Sequence, residues 1–201
     1  MKTTTASSLS AMKANGEKFA VITAYDFTFS KLIENAAIEV VLVGDSLGNV
    51  IQGRDSTIPV TVDEMAYHTE AVKRGNNRAL LITDMPFMSY ASEVQALENA
   101  AVLMQAGAQM VKLEGGEWLA ETVHLLTERG IPVCGHVGLT PQSVHKLGGY
   151  KVQGKEEQAA AQMIADAKAL EPGKYTVILE PAAAAGLISF MMNFFDARQA
   201  D

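Results

Sequence analysis

Six short apolar runs recur along this chain, and each stops at a residue able to do chemistry. Phe19 to Thr23 leads to Tyr25-Asp26, Val40 to Val43 to Asp45-Ser46, and Leu80 to Thr83 to Asp84. Met110 to Leu113 carries Lys112 and leads to Glu114, Val133 to Gly135 leads to His136, and Thr176 to Leu179 leads to Glu180. The runs are near-continuous rather than alternating, as in parallel strands buried on both faces. Helical stretches fill the intervals. Thr61-x-x-Glu64 and Ser92-x-x-Gln95 read as capping boxes, and Gly75, Gly107 and Gly130 fall where helix C-terminal glycines belong. Thr140-Pro141 opens a further helix, with threonine as the cap and proline at the first position, where a missing N–H costs nothing.

Alternating strand and helix means a doubly wound sheet or a barrel. A doubly wound sheet gathers its ligand at one switch point, whereas a (β/α)₈ barrel draws site residues from many strand ends. Chemistry at all six ends therefore favours an α/β fold of the (β/α)₈ TIM-barrel type. A barrel needs eight strands and only about six are evident. After Glu180 come the alanine-rich stretch Pro181 to Gly186, the apolar stretch Leu187 to Phe195 and a polar end. The expectation is one barrel-type domain over 1–201, with an atypical segment at 181–201 and two strands missing.

With 201 residues, 48% of them hydrophobic, the chain suffices for one well-buried domain. A formal charge of -7 without a Lys/Arg-rich tract argues against a nucleic-acid or anionic-membrane partner. The segment Met1 to Gly16 is polar and small, unlike a signal peptide, and no apolar run reaches the roughly 20 residues a spanning helix needs. The single Cys134 cannot form an internal disulfide, which fits a cytoplasmic location.

Asp45 and Asp84 each end an apolar strand with no cation nearby in sequence. Brought together they repel, and Mg²⁺, which takes one or two carboxylates and leaves other positions to water or substrate, is the usual remedy. The plainer alternative is that each caps the following turn. Lys112 and Glu114 share one face of their strand and point into the barrel. The lysine there either stays charged and grips an anionic substrate or gives up a proton, unless it merely snorkels. His136, flanked by Gly135 and Gly138, reads either as a core histidine or as a donor to an oxyanion. His68, His124 and His145 read as structural. Glu180 is either a general base with raised pKa or a carboxylate at a helix start. Ser46 lacks a nucleophile elbow, and the glycine-rich segments match neither a P-loop nor a dinucleotide fingerprint.

Read together, Ala24-Tyr25-Asp26, Val41-Leu42-Val43-Gly44-Asp45-Ser46-Leu47-Gly48, Lys112-Leu113-Glu114-Gly115-Gly116, Gly135-His136-Val137-Gly138-Leu139-Thr140-Pro141-Gln142 and Gly149-Tyr150-Lys151-Val152-Gln153-Gly154 resemble the ketopantoate hydroxymethyltransferase family. The resemblance runs to about residue 180. It implies a barrel of the phosphoenolpyruvate-binding superfamily, dependent on Mg²⁺ and assembling as a homo-oligomer, a decamer. The implied reaction moves a one-carbon unit from the co-substrate 5,10-methylenetetrahydrofolate to 3-methyl-2-oxobutanoate, giving 2-dehydropantoate in pantothenate biosynthesis. By the same resemblance Asp45, Asp84 and Glu114 match metal positions. Asp45, Ser46, Asp84, Lys112 and His136 match positions that hold the oxoacid, and Glu180 matches the catalytic base. Two alternatives stand beside this expectation. One is a related metal-dependent oxoacid lyase or mutase, and the other is a truncated, catalytically silent subunit.

Overall fold

The structure, a computed structural model, describes residues 3–170. The sixth run, Glu180 and the segment 181–201 lie outside the described residues.

Five strands form one parallel sheet in the order β1-β2-β3-β4-β5. They are β1 (Val21–Thr23), β2 (Val40–Val43), β3 (Leu80–Asp84), β4 (Met110–Glu114) and β5 (Val133–His136). Each strand pairs with the next in sequence, from Val21 opposite Val40 to Glu114 opposite His136. Among the described residues the order never reverses and no switch point occurs, so the sheet is the wall of a (β/α) barrel rather than a doubly wound sheet.

Helices connect the strands: α2 (Phe27–Asn35), α3 (Leu47–Val50), α4 (Val62–Gly75), α5 (Glu93–Gln105), α6 (Ala120–Glu128), α7 (Val144–Leu147) and α8 (Glu157–Ala169), with α1 (Ala6–Ala14) before β1. Local chemistry explains their ends. Thr61 Oγ1 accepts the Glu64 N–H, while Glu64 Oε2 accepts the Thr61 N–H, which completes the expected capping box. The second box forms only by half, because the Gln95 side chain takes the N–H of Ala91 instead of that of Ser92. Asp26 caps α2 by accepting from Phe29, so this strand-end acid serves the helix. Thr140-Pro141 opens a 3₁₀ turn, Pro141–Ser143, before α7, without a side-chain cap from the threonine.

The α1 helix was not expected from its polar sequence. Thr5 and Ser8 cap it reciprocally, and Leu9 packs on Val40, Leu42, Leu80, Ile82 and Met110. These strand residues form the inner face of the wall. Their neighbours Val41, Val43, Leu81, Val111, Leu113 and Val133 face outward into the main core beneath the helices. The alternation has a functional consequence. Along the inner face, apolar residues at the strand starts give way to Asp84, Lys112, Glu114 and His136 at the strand ends.

Helices α2 and α4 meet closely because Gly75 has no side chain. A Cβ there would lie 2.8 Å from both the Phe27 carbonyl oxygen and Ser30 Cβ. Ser30 is itself fixed by its Oγ donating to the Val72 carbonyl at 2.6 Å. Gly75→Ala is therefore expected to cost about 1–3 kcal/mol by overpacking, more than alanine's better helix propensity returns. Urea denaturation of the variant beside the parent chain checks this.

Candidate active site

The C-terminal ends of β2 to β4 bring four ionisable side chains together. Asp45, Asp84, Lys112 and Glu114 are each at most 5% exposed. Lys112 Nζ lies 2.8 Å from Asp84 Oδ1 and 3.7 Å from Glu114 Oε1. The second oxygen of Asp84 accepts the backbone N–H of Asp45 at 3.1 Å, tying β3 to the turn after β2. His136 Nδ1 sits 3.1 Å from Glu114 Oε1. A carboxylate only accepts, so Nδ1 carries the proton and Nε2 is left to face other groups.

The balance of charge sets the chemistry. Burial alone would push Lys112 down, but Asp84, Glu114 and Asp45 outweigh it and hold the ammonium above its ordinary range. Burial would raise Glu114, yet His136, Lys112 and the Gln142 N–H lower it overall. Asp45 goes the other way: burial first and the neighbouring Asp84 second raise it to about 7, against the pull of Lys112. Three carboxylates thus share one lysine, and Asp45 is the one left wanting a cation or a proton.

This has a sign that can be measured. Without a divalent cation, the folded state binds a proton at Asp45 more tightly than the unfolded chain, whose value is near 3.8. Stability contributed by that proton is lost as pH rises toward about 7 and regained as pH falls to about 4. Wild type is therefore expected to gain stability relative to Asp45→Asn as pH is lowered from about 8 to about 5, checked by denaturant melts across that window.

The excess acid and the raised proton affinity of Asp45 suit a hard divalent cation bound by Asp45 and Asp84. Among the described residues, however, no group of three or more His, Cys, Asp or Glu side chains is arranged to hold a metal. Glu114, expected as a third ligand, turns its oxygens to His136 and Lys112 on one side and to the Gln142 N–H at 3.0 Å on the other.

Ser46 follows Asp45 at the mouth of the wall, where its Oγ lies 2.8 Å from Tyr25 Oη. His68 holds Tyr25 in turn, with Nδ1 2.7 Å from the Tyr25 carbonyl oxygen. Gly44 faces the same space. A Cβ on it would come within 2.9 Å of Ser46 Oγ and 3.5 Å of Asp84 Oδ2, so glycine leaves room above the acids.

Sequence reasoning missed two residues. The Gln142 side chain bonds Asp45 Oδ2 at 2.8 Å, and Tyr90 Oη donates to Gln142 Oε1. Gln142 ends the Gly135 to Gln142 segment, where nothing local marks its role, and Tyr90 lies in a loop with no strand-end signal. Beside them a cavity of about 330 Å³ opens, lined by Phe87, Met88, Tyr90, Ala91, Glu114, Trp118, Gln142 and Ser143. The Trp118 and Tyr90 rings stack there at 16°, with centroids 6.4 Å apart. Among the described residues, no helix is long and apolar enough to cross a membrane.

A parallel wall in sequential order, apolar at its strand starts and acidic with one buried lysine at its ends, defines a (β/α)-barrel protein with its charged groups at the face where such barrels place their sites. Solved structures share that fold. A 2,3-dimethylmalate lyase of the PEP mutase/isocitrate lyase superfamily matches with TM-score 0.57 at 16% identity, over 82% of this chain and 60% of its own. A phosphonopyruvate hydrolase, in complex with oxalate and Mg²⁺, matches with TM-score 0.59 at 14% identity, over 98% of this chain and 88% of its own.

Residues 3–189 match the family described as ketopantoate hydroxymethyltransferase, and the chain belongs to it. The 3-methyl-2-oxobutanoate hydroxymethyltransferase of Cronobacter sakazakii is 61% identical over 181 residues, 90% of this chain and 69% of that protein. The enzyme of the same name from Escherichia coli O139:H28 is 58% identical over the same share of each. The chain thus spans a little over two thirds of the length of these relatives and 60% of the first barrel structure above.

Proposed function

We propose that this chain transfers a hydroxymethyl group to 3-methyl-2-oxobutanoate, the substrate in its relatives' name. In the fuller reading the donor is 5,10-methylenetetrahydrofolate, the metal is Mg²⁺, and the product is 2-dehydropantoate on the route to pantothenate. The observation that carries the proposal is the buried Lys112 set among Asp84, Glu114 and Asp45, with His136 beside them.

A 2-oxoacid brings a carboxylate and a keto oxygen that turns anionic as the C3 proton leaves. Lys112, held protonated, offers fixed positive charge where that anion develops, in a site largely shielded from water. His136 has Nε2 left for a second hydrogen bond, and Ser46 presents a hydroxyl at the mouth. Mg²⁺ held by Asp45 and Asp84 would supply Lewis acidity toward the substrate oxygens. Glu114 stands behind Lys112 and His136, helping to keep the lysine charged and fixing the direction of the imidazole through its Nδ1–H. Glu180, outside the described residues, is the proposed base: the C3–H electrons pass into the enolate and the proton to the carboxylate. Water adds to the donor's one-carbon unit and tetrahydrofolate leaves, freeing formaldehyde; the enolate carbon bonds to that carbon, and the resulting alkoxide takes back the proton held by Glu180. The aromatic cavity against Glu114 and Gln142 gives a second, flat reactant a place beside the acids.

A cytoplasmic location and self-association belong to the same proposal. Phe27, Phe29 and Leu32 on α2 and Tyr67 on α4 are each more than half exposed, a surface that a second copy would cover. The test of function is formation of 2-dehydropantoate by the purified chain. Product is expected only with both Mg²⁺ and 5,10-methylenetetrahydrofolate, and Glu180→Gln should reduce kcat by about 10²–10⁴. A folded chain that binds the oxoacid and yields no product would instead be a silent subunit.

A further inference from the structure

We propose that Gln142 is a positioning residue of this site: its side-chain amide fixes the Asp45 carboxylate, and the Tyr90 hydroxyl fixes the amide. The inference rests on the reading of Asp45 as a cation ligand and adds what aims it.

Gln142 lies in the 3₁₀ turn after β5, 97 residues from Asp45, and is 5% exposed. Its Nε2 spends one proton on Asp45 Oδ2 at 2.8 Å and the other on the Met85 carbonyl at 2.9 Å. The Met85 carbonyl only accepts, so the amide has one tolerable orientation; flipped, it would set Oε1 against that carbonyl. Tyr90 enforces that choice by donating its single proton to Gln142 Oε1, while its oxygen accepts the Glu114 N–H at 3.2 Å. The main-chain N–H of Gln142 also donates to Glu114 Oε2 at 3.0 Å.

One turn thereby grips two of the acids through different atoms. Lys112 is ion-paired with Asp84 and Glu114, and among the described residues Gln142 is the side chain that hydrogen-bonds the Asp45 carboxylate. A ligand carboxylate held by an outer hydrogen bond loses less freedom on metal binding, and removing such a partner weakens metal affinity by about 10–100-fold.

The experiment measures Mn²⁺ binding calorimetrically to the 201-residue chain and to Gln142→Met, Tyr90→Phe and the double variant. Gln142→Met is expected to weaken Mn²⁺ binding by about tenfold or more and Tyr90→Phe by less. The double variant should be no weaker than Gln142→Met, because Tyr90 acts through the glutamine. A residue that merely fills space would lower the melting temperature and leave Mn²⁺ affinity of the folded protein unchanged. That result, or additive losses, overturns the proposal. A wild-type chain that takes up no Mn²⁺ contradicts the metal reading instead. The side-chain amide protons of Gln142 then decide by NMR: both should exchange slowly in wild type and lose protection in Tyr90→Phe. Unprotected protons in wild type, or protection unchanged in the variant, would sink the idea.

Discussion

Lys112→Met is expected to destabilise the folded chain by about 3–5 kcal/mol, the cost of removing one partner of a buried ion pair. Methionine keeps most of the side-chain volume, so the loss is electrostatic rather than a cavity. Asp84 loses its contact at 2.8 Å, Glu114 loses one at 3.7 Å, and three buried carboxylates are left without the ammonium they shared. They would respond by taking up protons, so the penalty should shrink as pH falls. Adding Asp84→Asn to Lys112→Met removes one of the stranded charges and should restore part of the stability. Guanidinium or urea denaturation of the two variants and the parent measures the loss and the recovery.

Asp84→Asn alone is expected to lower kcat/KM by about 10²–10³. The two oxygens of Asp84 face two positive groups: Oδ1 is ion-paired with the Lys112 ammonium, and Oδ2 accepts the Asp45 N–H. An asparagine can present an acceptor to only one of them, so its NH₂ must face a donor. The substitution therefore loosens the turn bearing Asp45-Ser46 or the head of Lys112. It also takes away the second carboxylate proposed to hold the cation. Circular dichroism and a thermal melt should show a folded variant, with the loss concentrated in turnover.

Much of this architecture was legible because it is written locally. The runs at 40–43, 80–83, 110–113 and 133–135 became β2 to β5 nearly as read, since buried parallel strands have little choice but continuous aliphatic side chains. The strands run one residue further than expected at Asp84, Glu114 and His136, because pairing continues from Asp84 to Lys112 and from Glu114 to His136. Those residues are therefore part of the rigid wall and not of the loops that follow. Parity does the rest: residues two apart share a face, which places Lys112 and Glu114 together from the sequence alone.

What escaped is what depends on distance. Helix α1 has little amphipathic signal and is held by Leu9 against strands far along the chain. Gln142 reaches Asp45 across 97 residues, and Tyr90 reaches Gln142 across 52, with no local pattern to announce either contact. Asp26 shows the converse error, a strand-end acid whose work is to cap a helix.

The central claim is that the groups on these strand ends can stabilise an enolate of a 2-oxoacid. Exchange of the C3 proton of 3-methyl-2-oxobutanoate for deuterium, followed by NMR in D₂O with Mg²⁺ and without any one-carbon donor, tests it most directly. Wild type is expected to exchange the proton far faster than buffer, and Asp84→Asn to lose about 10²–10³ of that rate. A folded wild-type chain that exchanges no faster than buffer, or an Asp84→Asn variant that exchanges as fast as wild type, would contradict the account.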